Sequence, residues 1–247
     1  LSNQLLFYEQ ATAVSSERHR NWSVERAGYA FSRNTNSVPL TTVEFARAAR
    51  VYPVVFAGAG GGKLPVAILG LKDRENLFIA DDGDWTAAYI PAFVRRYPFV
   101  FATRDEGKTF TVCIDEGFAG CNQEQRGERL FDEHGERTPY LEQVLAFLQE
   151  YQLQFQRTQA FCAKLVELGL LEPMQANIAL KSGTQLALTG FEVVSRERLK
   201  ALSADTLKEL LANDELELLF THLASLEGFA AMIDRMSNEK GEQPEAQ

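Results

Sequence analysis

With 247 residues, 45% of them hydrophobic and 24% charged, the chain is long and apolar enough for one large domain or two small ones around a true core. A formal net charge of −9 and a pI near 5.0 exclude the basic field of a nucleic-acid surface. Three cysteines without paired spacing (Cys113, Cys121, Cys162), no run of 18 apolar residues and no signal-peptide pattern in residues 1–10 argue for a reducing, cytoplasmic setting without a membrane span.

Residues 1–38 are polar with scattered aromatics (Phe7, Tyr8, Trp22, Tyr29, Phe31), which predicts an arm carrying a strand or two. The cations Arg18, His19, Arg20, Arg26 and Arg33 in it are spaced by Glu17 and Glu25 and read as a solvated mixed surface. At Thr41 a helix is predicted, because Thr41 and Glu44 have capping-box spacing and Leu40 with Phe45 can form a hydrophobic staple. It must end before Pro53, which has no N–H to continue it and pushes Tyr52 out of the helical region.

The same arrangement returns 45 residues later. Arg50/Arg95, Tyr52/Tyr97, Pro53/Pro98, Val55/Val100, Phe56/Phe101 and Ala57/Ala102 are identical, and a short helix over 91–96 again precedes the Tyr-Pro pair. This reads as an internal duplication over about 41–136. In the first copy the strand after the Tyr-Pro pair is followed by strand-like runs at 65–69 and 76–79 and a turn at Asp82-Gly83. In the second, the runs are 109–114 and 129–131, with a turn at His134-Gly135. Short glycine-containing links favour antiparallel pairing. The second copy takes 16 residues from Ile114 to Leu130 where the first takes 8 from Leu69 to Leu77, so the 115–129 loop carries an excess that joining two strands does not require.

Thr138 and Pro139 then open the longest helix, with Leu141, Val144, Leu145, Leu148, Tyr151, Phe155, Cys162 and Leu165 at helical spacing and Gly169 at its end. Residues 175–194 read as a hairpin turning at Ser182-Gly183, followed by helices near 204–212 and 214–236. The expected fold is α+β: duplicated antiparallel β-meander units, forming one sheet or a partly closed barrel, packed with a long helix and a helical C-terminal region. The expected segments are 1–136 (arm and duplicated region), 137–236 (helix, hairpin and C-terminal helices, one compact fold with the first part) and a disordered polar tail, 237–247.

Few residue sets invite chemistry. The run Gly58 to Lys63 lacks the first glycine and the Ser or Thr of a phosphate loop, with Ala57 and Leu64 standing there, and it precedes a strand rather than a helix. Cys113, Cys121 and His134 with Asp115, Asp132 and Glu133 match no closed zinc pattern, so no metal and no cofactor is expected. Cys121, between Gly120 and Asn122, is the one plausible nucleophile, with an inert thiol as the plainer reading. Glu116, Glu124 and Glu128 with Arg126 and Arg129 are either an acid pair with an anion clamp or a solvated, salt-bridged loop. The candidate ligand-binding residues are Arg95, Arg96, Asp115, Glu116, Cys121, Asn122, Arg126 and Arg129, with no catalytic residue assigned. Arg95 or Arg96 and Arg129 are expected to pair with Asp115 or Glu116, leaving Asn122 and Arg126 outward for a ligand.

Six stretches carry a resemblance: NQLLFY (3–8), YPVVF (52–56), RYPF (96–99), CIDE (113–116), RLFD (129–132) and LEPM (171–174). In this order they resemble the bacterial SapC family over nearly the whole chain. The resemblance implies an accessory protein linked to the envelope or surface layer and brings no catalytic motif with it. The expected function is therefore a non-enzymatic binding protein that engages a peptide or protein segment and no nucleic acid. The alternative is an enzyme acting on a peptide or small molecule through the 115–129 loop. Without a conventional export signal the cytoplasm is the expected location, with surface association by another export route left open.

Overall fold

The computed structural model describes residues 6–58, 62–104, 109–179 and 185–239. In chain order its strands are β1 (Ala11–Ala13), β2 (Ser23–Val24), β3 (Ser37–Pro39), β4 (Val54–Ala57), β5 (Leu64–Ile68), β6 (Phe99–Arg104), β7 (Thr109–Asp115), β8 (Cys121–Asn122), β9 (Glu128–Arg129), β10 (Leu171–Ala179) and β11 (Gln185–Val194). The helices are α1 (Ser16–His19), α2 (Phe45–Ala48), α3 (Ala92–Arg95), α4 (Pro139–Glu167), α5 (Arg196–Lys200), α6 (Ala204–Ala212), α7 (Glu215–Ser225) and α8 (Gly228–Glu239). The chain divides into two compact units, one formed by the described residues up to 31 with 93–153, the other by 32–92 with the residues from 154 on.

The first unit holds two antiparallel sheets, β1-β7-β6 and β8-β2-β9. The arm is an edge strand of the first, with Ala11 opposite Asp115 and Ala13 opposite Cys113. In the second sheet Ser23 and Val24 are flanked on both sides by the 115–129 segment, which is thus a loop clasping β2 between its two short strands. That clasp needs glycine: a Cβ on Gly120 would come within 2.2 Å of the Glu25 carbonyl oxygen, and one on Gly127 (φ 79°) within 2.4 Å of that of Val24. The core gathers Val24, Phe99, Ile114, Leu130 and Phe131 against Leu141 and Leu148 of α4. Thr138 sets the start of that helix, its hydroxyl accepting from the Leu141 N–H (3.3 Å) and donating to the Arg129 carbonyl (2.6 Å).

The second unit is built on the antiparallel sheet β10-β11-β4-β5-β3. Phe56 of β4 joins Phe161, Cys162 and Leu165 from the second half of α4, and Leu199, Leu210, Leu219 and Leu223 from α5, α6 and α7. Each such side chain contributes about 1.5–3 kcal/mol by leaving water. The Thr41 start forms as the capping-box spacing predicts: Glu44 Oε2 accepts from the Thr41 N–H and hydroxyl, both at 2.8 Å. Its other oxygen accepts from the Tyr89 hydroxyl and the Ala92 N–H, both at 2.7 Å, so this buried carboxylate joins the starts of α2 and α3.

The α+β class and the long helix agree with the sequence reading, and four details differ. The Tyr-Pro hairpins β4–β5 and β6–β7 lie in separate sheets, and among the described residues no sheet closes into a barrel. The runs at 76–79 and 129–131 do not form third strands of a meander. In each place the chain doubles back instead, with Ile79 bridging Trp85 and, beyond the two residues of β9, Phe131 bridging Arg137. The helix expected over 214–236 is broken at Leu226-Glu227, where the Ser225 hydroxyl donates back to the His222 carbonyl (2.6 Å) just before Gly228. By length and composition Glu215–Met236 is apolar enough to cross a membrane, but Leu219, Leu223 and Met232 are buried within the unit. The tail expected from 237 begins as helix, α8 continuing to Glu239; the rest of that tail, like the turns at 59–61 and 182–183, lies outside the described residues.

His222 completes the sheet from α7. Its Nδ1–H donates to the Val54 carbonyl (2.8 Å), and its Nε2 accepts from the Val194 N–H (3.0 Å). Burial pushes its pKa down to about 4, because a second ring proton would face the Val194 N–H without water to solvate it. The unfolded chain binds that proton near pH 6.5 and the folded chain only near 4, so stability falls as pH drops through this window, by up to about 3 kcal/mol from this group. Urea unfolding across that range should show the loss. His222→Gln should be less stable at neutral pH and should lack this part of the pH dependence.

Candidate functional site

The site grows from the end of α3. Pro98 stops the helix, and the chain turns directly into β6, with the Phe99 N–H donating to the Arg96 carbonyl (2.7 Å) and the Asp115 N–H to the Pro98 carbonyl (3.0 Å). Tyr97 is thereby aimed at the end of β7, where its hydroxyl donates to Asp115 Oδ2 (3.2 Å). Asp115 is fully buried and also accepts from the backbone N–H groups of Glu9 (2.9 Å), Gln10 (3.4 Å) and Gly117 (3.1 Å). Burial, reinforced by the Asp115 charge, pushes the Tyr97 phenol well above its ordinary range, so it remains a donor.

Aromatic rings surround this point. Phe31 lies 4.2 Å, Tyr8 5.1 Å and Phe118 5.3 Å from the Tyr97 ring, centroid to centroid. The Arg96 guanidinium is buried over Phe93 (4.3 Å) and Tyr151 (5.0 Å), a box that stabilises a desolvated cation through the ring faces. Arg95 points the other way, exposed and 5.3 Å over the Phe147 ring.

Two clefts open beside the Tyr97-Pro98 ridge. One, of about 270 Å3, lies between Glu25–Tyr29, Phe118, Glu128 and Tyr140. The other, of about 260 Å3, runs along α4 past Tyr140, Gln143, Val144 and Phe147. Arg95, Tyr97, Pro98 and Tyr140 line both. Burial raises the Tyr140 phenol to about 12, so it too is neutral. The clefts thus offer aromatic walls, an exposed cation at their junction and carboxylates at one end.

Of the residues singled out from sequence, Arg95 and Arg96 line a cleft and the others build the loop. The expected pairing of Asp115 or Glu116 with Arg95, Arg96 or Arg129 does not form. Glu116 meets Arg18 in a two-pronged pair (2.5 and 2.8 Å) and accepts from His19 Nε2 (3.1 Å), and the Arg18 hydrogen bond holds its carboxyl below the usual range. Nor does Asn122 face outward. It is buried, its amide N–H donating to the Gly120 and Arg126 carbonyls and its oxygen accepting from the Glu124 and Arg126 N–H groups. Arg126 is exposed and pairs with Glu25 (3.1 Å) and Glu124 (3.6 Å), the solvated salt-bridged loop of the two readings. Arg129 is half-buried in β9.

Cys121 is half-buried, its thiol donating to the Asp115 carbonyl (3.7 Å), and burial together with the Asp115 and Glu116 charges raises it to about 12. Such a thiol is not a nucleophile at neutral pH. Among the described residues no three of His, Cys, Asp and Glu converge as a metal site. Sequence reasoning missed Phe118, Tyr140 and Phe147; the spacing of Tyr140, Val144 and Phe147 along one flank of α4 was the available signal.

The sequence model of the family described as SapC matches residues 14–232. Among curated proteins and solved structures nothing matches the chain.

Replacing Asp115 by Ala orphans its donors, and we expect a loss of about 3 kcal/mol in chemical denaturation, with cleavage of the 6–13 arm by a nonspecific protease before global unfolding. Iodoacetamide at mildly alkaline pH should label Cys121 far more slowly than free cysteine until denaturant is added. Rapid labelling of the folded protein, mapped to Cys121 by mass spectrometry, would contradict the assigned environment.

Proposed function

The chain belongs to the SapC family, and we propose that it works as a non-enzymatic binding protein that holds an extended peptide or protein segment in the two clefts beside Tyr97-Pro98. The observation that carries this reading is the sharing of Arg95 and Tyr140 by both clefts: one bound segment crossing the ridge would meet a cation at its middle and aromatic walls on either side. The chemistry selects a segment with a carboxylate between apolar side chains, and Glu128 favours a basic residue at one end. The protonated Cys121 thiol and the fully engaged Asn122 give the enzymatic alternative through the 115–129 loop no support. The setting consistent with the SapC resemblance is the envelope or surface layer.

We also read the two Tyr-Pro hairpins as copies of one ancestral unit. Supporting this, β4 pairs with β5 as β6 does with β7, the carbonyls of Pro53 and Pro98 each accept a partner-strand N–H (2.9 and 3.0 Å), and both units carry a similar later turn. In those turns Ala80 donates to Asp84 and Asp132 to Glu136, each at 2.9 Å. Aligned family members are expected to show the Tyr-Pro element at both places.

A panel of extended fluorescent peptides pairing one Asp or Glu with flanking aromatic or aliphatic residues tests the binding reading by anisotropy. Arg95→Ala should weaken the best binder about tenfold, a typical loss for one charge-assisted contact, while Cys121→Ser leaves binding unchanged. Conversion of a bound peptide into a product by wild type but not Cys121→Ser would favour the enzyme instead.

A further inference from the structure

The second unit carries an apolar groove that its own core does not fill. Leu199 forms its floor, Leu207 and Leu216 its walls, and the volume is about 420 Å3, within the roughly 300–1,000 Å3 of ligand-sized clefts. At its lip stand Leu211, 64% exposed, and Phe220, 52% exposed. The sequence explains the surplus. In α6, Leu210 is buried in the core while the adjacent Leu211 faces the groove; in α7, Leu219 is buried and Phe220 stands out. Both helices therefore have an apolar stripe wider than the core needs, and the excess from α6 and α7 converges over Leu199 of α5.

The charges around it are sorted by sign. The rest of the lining is Arg196, Lys200 and Lys208, with no carboxylate. Two acids of the neighbouring helices are held elsewhere: Glu209 and Glu215 both grip Lys164, at 2.6 and 2.7 Å. Among the described residues the three lining cations make no ion pair. In a chain of net charge −9, an apolar groove ringed only by cations selects its occupant by sign as well as by shape.

We propose that the α5–α6–α7 groove binds an acidic amphipathic helix of a partner protein. Two apolar side chains one turn apart enter over Leu199, and Asp or Glu residues beside them meet Arg196, Lys200 and Lys208. The concavity favours inserted side chains over a lipid surface, since a flat bilayer would touch the lip and leave the floor unfilled. This site stands in the second unit and does not rest on the reading of the Tyr97-Pro98 clefts.

The test uses the full chain and a fluorescein-labelled synthetic helix with Leu on one face and Glu on the other, beside the same peptide with Lys in place of Glu. The Glu peptide is expected to bind, to weaken with added salt, and to lose roughly tenfold or more with the double variants Lys200→Glu/Lys208→Glu and Leu211→Ser/Phe220→Ser. Circular dichroism of both variants should match wild type, because Leu211 and Phe220 are exposed and the lysines lie at the rim. The charge-reversed protein should bind the Lys peptide better than wild type does. Equal affinity for the two peptides, indifference to either double variant, tighter association with anionic phospholipid vesicles than with the Glu peptide, or self-association abolished by Leu211→Ser/Phe220→Ser would overturn the proposal.

Discussion

A buried carboxylate is the constraint on which the first unit depends. Without partners a carboxylate removed from water would be prohibitively costly, so Asp115 has to collect donors, and where it finds them fixes the surroundings. Two come from the backbone of the arm at Glu9 and Gln10, one from Gly117 at the start of the clasping loop and one from the Tyr97 hydroxyl. The register of β1, the start of the 115–129 segment and the orientation of the Tyr97-Pro98 ridge are therefore consequences of one charge. The second unit has its own version in Glu44, whose two oxygens take four donors, again with a tyrosine hydroxyl among them. In both, backbone N–H groups supply part of the set, which makes the arrangement rigid because no rotamer change can release them.

What was legible in the sequence was local. The Thr41–Glu44 box, the Thr138-Pro139 start and Gly169 end of the long helix, and the strands after each Tyr-Pro pair all rest on residues within a turn or two of each other. The clasp on β2 was not legible, because two-residue strands carry no alternation and Ser23 pairs with Asn122 and Arg129 about a hundred positions away. The donors of Asp115 were hidden for a different reason: three of the four are backbone groups, which every residue but proline possesses. Cys121 and Asn122 drew attention by their reactive or polar side chains, yet the fold uses both to complete hydrogen bonds within the loop. Arg95 and Arg96 were found by their place beside the Tyr-Pro pair, but adjacency concealed that helical geometry sends one into an aromatic box and the other into the clefts.

The binding reading proposed above draws on these arrangements. Cys121, Asn122 and Glu116 are engaged within the loop and its neighbours, and the phenols lining the clefts are held neutral by burial. The clefts beside Tyr97-Pro98 combine ring faces, aliphatic carbons and exposed charges, the mixture on which that proposal rests.

Neither unit is continuous in the chain: the first closes only when residues 93–153 join the arm, and the second needs the segment after 153 as well as 32–92. During synthesis the arm emerges ahead of residues 93–153, and β2 has no partner strand until β8, at residues 121–122, has followed it. The hairpins β4–β5 and β6–β7 can pair locally, but Phe7, Trp22 and Phe31 wait for residues 93–153, and each unit is complete only after long-range closure. The protein therefore cannot fold in simple N-to-C order, and its early, half-made chain is the form on which chaperones would act.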